Sequence, residues 1–209
     1  ARNKEEWTTG LVEDLGWLGL NHDTFVIQSE RASFHTAYLQ KIIKEGKAYI
    51  SKETPVEEGQ RDEVIRFKNP NKVVVINDII RGEVSIDTTD LGDFVIARSI
   101  DEPLYHFAVV ADDFDMGITH VIRAEEHLSN TPRQILIQEA IGAPRPIYAH
   151  LPLVLASDKS KLSKRKHGET VSLTYYRSRG YLPAAIINFV ALLGWNPGTE
   201  QEIMSLDEL

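Results

Sequence analysis

Apolar side chains at helical spacing predict two helices near the start of the chain. The apolar positions of the first helix are Trp7, Leu11, Leu15 and Leu18. Those of the second helix are Phe34, Tyr38, Ile42 and Ile43. Positions three and four residues apart lie on one face of a helix, so each set predicts one buried face. Gly46 stands where a glycine in the left-handed conformation would end the second helix.

Between about residue 48 and residue 97 the pattern changes to short β-type runs. These runs are Val64–Phe67, Val73–Ile80, Val84–Asp87 and Phe94–Ala97. Asn, Pro and Gly separate them, as is typical of turns between short strands. The pattern predicts a small mixed or antiparallel subdomain. We expect it to be an insertion within a larger body, because the sequence contains no Gly/Ser linker.

Beyond this segment, a strand, a loop and a helix follow one another in the order that is typical of α/β proteins. The run Ile118–Ile122 predicts a buried strand. For the next helix we expect Thr131 to cap the N-terminus, Pro132 to occupy the first helical position and Gln134 to complete a capping box. The run from Pro183 to Leu193 predicts a last apolar helix.

Composition and charge limit the classes of protein to consider. The 209 residues carry a formal net charge of -8, and 42% are hydrophobic and 26% charged. A chain this acidic does not bind nucleic acid through its overall field, so any such contact must be local. No apolar run approaches the roughly 20 residues of a membrane helix, so we expect a cytoplasmic protein without membrane contact. The absence of cysteine and the scattered histidines predict no protein-bound zinc.

A basic cluster interrupts this acidic chain just after the apolar run Ile147–Leu155. Its members are Lys159, Lys161, Lys164, Arg165 and Lys166. Ammonium groups on a small polar loop can close over a triphosphate and neutralise the charge that develops on leaving pyrophosphate. By composition alone, the same loop can be a solvated surface or a general anion-binding patch.

Sequence motifs spread over nearly the whole chain point to one family. The pentapeptide Lys161-Leu162-Ser163-Lys164-Arg165 resembles the second signature of the class I aminoacyl-tRNA synthetases. The segment Asp112–Leu128, continued by residues 129–134, resembles the long signature of the glutamyl enzymes. Segments 17–20, 28–31 and 103–107 are similar to the neighbouring parts of those proteins. The chain thus resembles the bacterial-type class I glutamyl-tRNA synthetases, least so from about residue 51 to residue 60.

The resemblance implies an α/β fold, a Rossmann-like class I synthetase catalytic core with two additions. Residues 1–34 would form the first part of the core, and residues 104–170 its second half with the lysine loop. Residues 35–103 would form an inserted mixed α/β subdomain that binds the acceptor end of tRNA. Residues 171–209 would form a helical segment that contacts the tRNA stem.

The resemblance also implies a two-step reaction. The carboxylate of L-glutamate attacks the α-phosphate of ATP, and the glutamyl group then passes to tRNA(Glu). ATP is a substrate that brings Mg²⁺ with it, and we expect the protein to be a monomer. Such a reaction depends on positioning and charge stabilisation, so it needs no covalent enzyme nucleophile.

By the same resemblance, Tyr105 and Arg123 would bind glutamate, with the guanidinium of Arg123 paired to a substrate carboxylate. Lys161 and Lys164 would be the catalytic residues that hold the phosphates. The other expected contacts to ATP come from Ser163, Arg165, Glu126 and the backbone near Val154.

The two glutamate-binding assignments have structural alternatives. Without the resemblance, Arg123 could simply pair with Glu125 or Glu126, and Tyr105 could be a core or rim aromatic. The adjacent Asp112 and Asp113 are more typical of capping or salt-bridging groups than of a metal pair, and we assign them no metal.

The chain carries the second signature of the family, but the histidine-rich first signature is missing from its sequence. It also stops before the domain that reads the anticodon. We therefore expect a fragment with little or no turnover of its own. Two alternatives stay open: a glutamyl-queuosine tRNA(Asp) synthetase-like enzyme, and a non-catalytic fragment or paralogue that binds tRNA or ATP.

Overall fold

The computed structural model describes residues 5–54 and 62–209, except for the side chains of Lys164 and Arg165. The helices in this part of the chain are α1 (Glu5–Trp17), α2 (Ala32–Lys44), α3 (Tyr105–Asp115), α4 (Thr131–Ile141), α5 (Lys164–His167), α6 (Leu173–Ser178) and α7 (Pro183–Leu192). The strands are β1 (Ala48–Lys52), β2 (Glu63–Phe67), β3 (Val73–Asp78), β4 (Gly82–Asp87), β5 (Phe94–Ser99), β6 (Glu102–Pro103), β7 (His120–Ala124) and β8 (Ile147–Leu151).

The chain divides into two compact units. One, the strand-rich unit, is Val26–Leu151, and the other, the helical unit, combines Ala1–Phe25 with Pro152–Leu209. All of the strands named above lie in the strand-rich unit. None of the described helices is both long enough and apolar enough to cross a membrane.

Two four-stranded sheets form the strand-rich unit. The first has the order β1-β2-β5-β6 and is antiparallel. The second has the order β4-β3-β8-β7, in which β8 runs parallel to both of its neighbours. A parallel pair requires a crossover connection, and α4 supplies it between β7 and β8. The predicted α/β class is confirmed.

The β-rich segment contributes strands to both sheets. The hairpin of β3 and β4 joins β8, because Asp78 at the end of β3 pairs with Tyr148. Alternate residues of β3 are buried, with Val74, Ile76 and Asp78 on the inner face. The sequence predicts this alternation but cannot show which distant strand completes the sheet. That strand is β8, which begins at residue 147, whereas β3 ends at residue 78.

The core of the strand-rich unit lies where α2, α3 and α4 pack on the strands. Its fully buried side chains include Leu39, Ile42, Ile76, Ile96, Phe107, Ile135 and Ile141. Burying an aliphatic side chain of this size stabilises the folded state by roughly 1.5–3 kcal/mol. The helical faces predicted from spacing are confirmed for α2, since Phe34, Tyr38 and Ile43 pack against this core and Ile42 lies inside it.

The two predicted helix ends had opposite outcomes. Gly46 follows the last turn of α2 with φ 70°, so the expected left-handed glycine is confirmed. The capping box at α4 is wrong. A capping residue needs extended backbone, whereas Asn130 before α4 is already helical, because a 3₁₀ helix (Glu125–Asn130) leads into it. The hydroxyl of Thr131 donates instead to the carbonyl of His127, 3.1 Å away.

Asp112 ties the start of α2 to α3. Its carboxylate accepts hydrogen bonds from Gln28 Nε2 at 2.8 Å and Arg31 Nε at 2.7 Å, and it lies 2.7 Å from His35 Nε2. Arg31 also pairs with Asp115. Burial raises the pKa of Asp112, but the hydrogen bonds from Gln28, His35 and Arg31 outweigh it, so the pKa lies below its usual value. Asp112 is a salt-bridging group.

Replacing Asp112 with Asn should lower the free energy of unfolding at pH 7 by about 2 kcal/mol, because charge-assisted hydrogen bonds are lost. Since the folded-state pKa is lowered, the stabilisation by Asp112 is present above the usual carboxyl pKa of about 4 and disappears as the pH falls through the folded pKa. Urea unfolding of the two proteins should therefore differ at pH 7 and converge in acid. Asp115→Asn, at the exposed end of the cluster, should cost much less. A difference independent of pH would contradict this account.

Candidate active site

Arg123 lies in β7, partly buried, with its guanidinium held by an imidazole and a hydroxyl group. Its Nε donates to His150 Nε2 at 3.1 Å, and its Nη2 donates to Thr131 Oγ1 at 2.8 Å. The guanidinium carbon lies 5.7 Å from the centre of the Tyr148 ring. Burial lowers the pKa of Arg123, while Tyr148, Tyr105 and Asp113 act in the opposite direction. The residue nevertheless stays a cation at neutral pH, because guanidinium pKa values lie far above 7.

Arg123 does not pair with either of the acidic residues that follow it. Glu125 pairs with Arg81, and Glu126 lies 3.7 Å from His127 Nε2. Among the described residues, none of the hydrogen bonds of Arg123 goes to a carboxylate. The cation is therefore positioned without being neutralised by a direct partner.

Tyr105 and His106 at the start of α3 lie beside Arg123. The hydroxyl of Tyr105 interacts with the guanidinium and supports its charged form. Tyr105 is 49% exposed, so it is a rim residue and not part of the core. Burial, together with the charges of Arg133 and Arg123, lowers the pKa of His106, so its ring is neutral at neutral pH. The structure thus brings the two expected glutamate-binding residues together, with Glu126 in the same unit.

Two residues behind Arg123 were not predicted from the sequence. Asp78 ends β3 and His150 lies in β8, and both side chains are fully buried. Their only signals in the sequence are a carboxylate at the end of one apolar run and a histidine inside another. Either pattern is common, so neither residue could be assigned before the strands were seen to be adjacent.

The lysine loop belongs to the helical unit and begins as a small hairpin. Leu155 pairs with Lys161, the Leu162 N–H donates to the Val154 carbonyl at 3.0 Å, and the Ala156 N–H donates to the Ser160 carbonyl at 2.9 Å. Lys159 at its tip has φ 63°. The expected ATP-binding backbone near Val154 is therefore directly paired with the motif that follows it.

The cations of this loop differ in their surroundings. Lys166 Nζ donates to Asp158 Oδ2 at 2.6 Å and to Ser160 Oγ at 2.7 Å, so its charge is used inside the loop. The Ser163 N–H points to His167 Nδ1, 3.1 Å away. Lys161 is exposed. For Lys164 and Arg165, only the backbone at the start of α5 belongs to the described structure.

The contact between Lys166 and Asp158 predicts a measurable titration. Hydrogen bonds from Lys166 and Ser160 lower the pKa of Asp158 from 3.8 to about 2. In Lys166→Met the first of these causes is removed, so the pKa should rise toward 3.8. Carboxyl ¹³C shifts followed by NMR as a function of pH would measure it. An unchanged value in Lys166→Met would show that the Asp158 contact does not hold Lys166 in solution.

Comparison with known protein families gives a match over the full length of the chain. The family described as tRNA synthetases class I (E and Q), catalytic domain, matches residues 1–58 and 51–209. The glutamate–tRNA ligase of Aquifex aeolicus is 46% identical over 243 residues, which cover 100% of this chain and 51% of that protein. The one from Carboxydothermus hydrogenoformans is 43% identical, with 100% and 52% covered. The chain spans about half the length of these curated relatives.

Solved structures agree with these relatives. The crystal structure of a glutamate tRNA ligase from Elizabethkingia meningosepticum in complex with its amino acid matches with a TM-score of 0.86 and 33% identity, over 99% of this chain and 54% of that one. A glutamate-tRNA synthetase from Elizabethkingia anophelis matches with a TM-score of 0.85. The predicted synthetase core and the predicted family are confirmed. The chain belongs to the class I tRNA synthetases of the E and Q type, and it contains sequence of their catalytic domain.

Proposed function

We propose that this chain is part of a glutamate–tRNA ligase of the length of its relatives, which activates L-glutamate with ATP and passes the glutamyl group to tRNA(Glu). The first step forms a bond between a glutamate carboxylate oxygen and the α-phosphorus of ATP, and the bond to pyrophosphate breaks. In the second step the terminal ribose hydroxyl of the tRNA takes the glutamyl group and AMP leaves. The relatives at 43–46% identity, named glutamate–tRNA ligases, support this reaction.

The observation that carries the proposal is the state of Arg123. A partly buried guanidinium whose hydrogen bonds go to an imidazole nitrogen, to hydroxyl groups and to a carbonyl, and not to a carboxylate, retains its full charge for a ligand. In such surroundings a carboxylate is the complementary group, because its negative charge offsets that of the partly buried cation and it can accept from a guanidinium N–H. Tyr105 at the rim would close the same pocket over the amino acid. The relative that was solved in complex with its amino acid supports amino-acid binding by this chain.

The lysine loop would handle the phosphates. Lys161 and Lys164 supply charge to the triphosphate in this proposal, and Mg²⁺ arrives with ATP as part of the substrate. Ser163, Arg165, Glu126 and the backbone near Val154 complete the nucleotide contacts. The role of the cations is electrostatic, since charge builds on pyrophosphate as it leaves.

Transfer RNA would extend beyond this pocket. We propose that residues 35–103 hold its acceptor end and that the helical segment 171–209 contacts its stem. The acidic overall charge makes these contacts local ones. A monomer in the cytoplasm is the corresponding expectation for the whole protein.

The central test is glutamate-dependent exchange of pyrophosphate into ATP, measured in a protein of the relatives' length that carries this chain. Arg123→Lys should raise the KM for glutamate about tenfold or more, because one ammonium group cannot keep the contacts to His150 and Thr131 and also donate to the ligand as the planar guanidinium does. Arg145→Lys, at an exposed arginine that bonds Val75 and Glu139, is the matched control and should leave exchange unchanged. Folded protein without exchange would favour a binding-only role, and charging of tRNA(Asp) alone would favour the queuosine-type enzyme.

Lys164→Ala should slow adenylate formation by about 100-fold or more while glutamate binding changes little, because the lost charge acts on the transition state. Lys166→Ala is the natural comparison, since Lys166 is already bound to Asp158, and it should have a much smaller effect. Single-turnover adenylate formation and calorimetric glutamate binding separate the two quantities. Equal rates for the two variants would remove the proposed role of Lys164.

A further inference from the structure

Asp78 and His150 form a fully buried pair directly behind Arg123. The two side chains are 0% exposed, and His150 Nδ1 lies 2.6 Å from Asp78 Oδ2. On the other side of the same ring, Nε2 lies 3.1 Å from Arg123 Nε. A continuous chain of polar contacts therefore runs from a buried carboxylate, through one imidazole, to the guanidinium of Arg123.

The hydrogen-bond inventory fixes the tautomer of His150. The Nε of Arg123 carries a hydrogen and can only donate, so the facing Nε2 must be the acceptor. The ring hydrogen then lies on Nδ1 and is donated to the Asp78 carboxylate. Thr131 Oγ1 lies 3.2 Å from the same Nε2 and accepts from Arg123 Nη2. Its one hydrogen goes to the His127 carbonyl, so Arg123 is the donor to Nε2.

The carboxylate of Asp78 is anchored by backbone. Its Oδ1 accepts from the N–H groups of Ile80 at 3.0 Å, Arg81 at 2.9 Å and His150 at 3.2 Å. Burial raises the pKa of Asp78, but these backbone bonds and His150 outweigh it, so the pKa falls from 3.8 to about 2. The group is ionised at neutral pH, and it can accept from Nδ1 but cannot donate to it.

We propose that Asp78 and His150 are positioning residues that orient Arg123 for a carboxylate ligand by holding an acceptor nitrogen against its Nε. The proposal deepens the proposed function and rests on it, because it concerns the same arginine. His150 holds Nε of the guanidinium and Thr131 holds Nη2, so the group is fixed on two sides and Nη1 is the nitrogen atom that would donate to the ligand. The charge of Asp78, relayed through the ring dipole, offsets the cost of burying the cation.

Asp78→Asn tests the tautomer with the smallest change of shape. The three backbone donors keep the amide oxygen of the substituted side chain in the place of Oδ1, so its NH₂ group faces His150 Nδ1. That nitrogen must then accept, and the ring hydrogen moves to Nε2, where it opposes the N–H of Arg123. Imidazole ¹⁵N NMR of this chain should show the hydrogen on Nδ1 in the parent protein and on Nε2 in Asp78→Asn.

The changed tautomer should affect the KM for glutamate alone. In the protein of the relatives' length, Asp78→Asn should raise the KM for glutamate about tenfold, equivalent to about 1.4 kcal/mol, and leave the KM for ATP unchanged. Thr88→Val is the control for lost stability, because Thr88 is equally buried but bonds Lys72 and Asn69 instead. It should lower the melting temperature without moving either KM.

Two substitutions of His150 separate its contacts if Asp78→Asn folds poorly. His150→Gln can place an acceptor near the Nε2 position and should retain glutamate affinity better. His150→Asn can still donate to Asp78 but cannot reach Arg123, and it should lose as much affinity as Asp78→Asn. Equal KM values for these two variants, with the parent value retained, would overturn the proposal.

Arg123→Lys, measured in parallel, separates the positioning role of Asp78 and His150 from the glutamate-binding role of Arg123. If Arg123→Lys weakens glutamate binding but neither Asp78→Asn nor His150→Asn does, the positioning role is wrong and the proposed function stands. If Arg123→Lys itself has no effect, the assignment of Arg123 fails with the proposed function. In that case the NMR tautomer still reports whether the buried chain of contacts exists.

Discussion

The buried carboxylate of Asp78 is the constraint on which the arrangement around Arg123 depends. A carboxylate removed from water is stable only if its oxygens are satisfied, and here one oxygen takes three backbone N–H groups and the other takes His150. Those bonds hold the turn after β3, the backbone of β8 and one imidazole ring together. They also lie where β3 and β8 pair. Asp78 therefore serves both the pairing of the β3–β4 hairpin with β8 and the arrangement around Arg123.

The Arg123 cluster and the lysine loop are built on different principles. The Arg123 cluster draws its side chains from β3, β7, β8 and α4, which the fold must bring together. The lysine loop is local, since Asp158, Ser160 and Lys166 bond one another within a few residues. Rigid strands suit the recognition of a carboxylate, whereas a self-contained polar loop suits contact with phosphates whose charge changes during reaction.

Local physics accounts for the features that the sequence predicted well. The end of α2 at Gly46 needed a residue without a Cβ, and the buried face of that helix needed apolar spacing. The capping box at Thr131 failed for a reason that also bears on the site. Because a 3₁₀ helix precedes α4, the Thr131 hydroxyl is available to accept from Arg123 and does not serve the helix end. The sequence fits a capping box, but the Thr131 hydroxyl bonds Arg123 and the His127 carbonyl instead.

The sequence by itself determined the α/β class, the buried face of α2, the lysine motif and the family, because these depend on spacing and on short contiguous signatures. It also identified Tyr105 and Arg123 as candidates by resemblance. It did not determine a buried face of α1, where Trp7 and Leu11 of the predicted face are exposed. Only the tertiary structure decided that β3 pairs with β8, and with that pairing that Asp78 and His150 stand behind Arg123. Their chemistry depends on strands almost 70 positions apart, at 73–78 and 147–151, and no local pattern specifies the partner of a buried polar group.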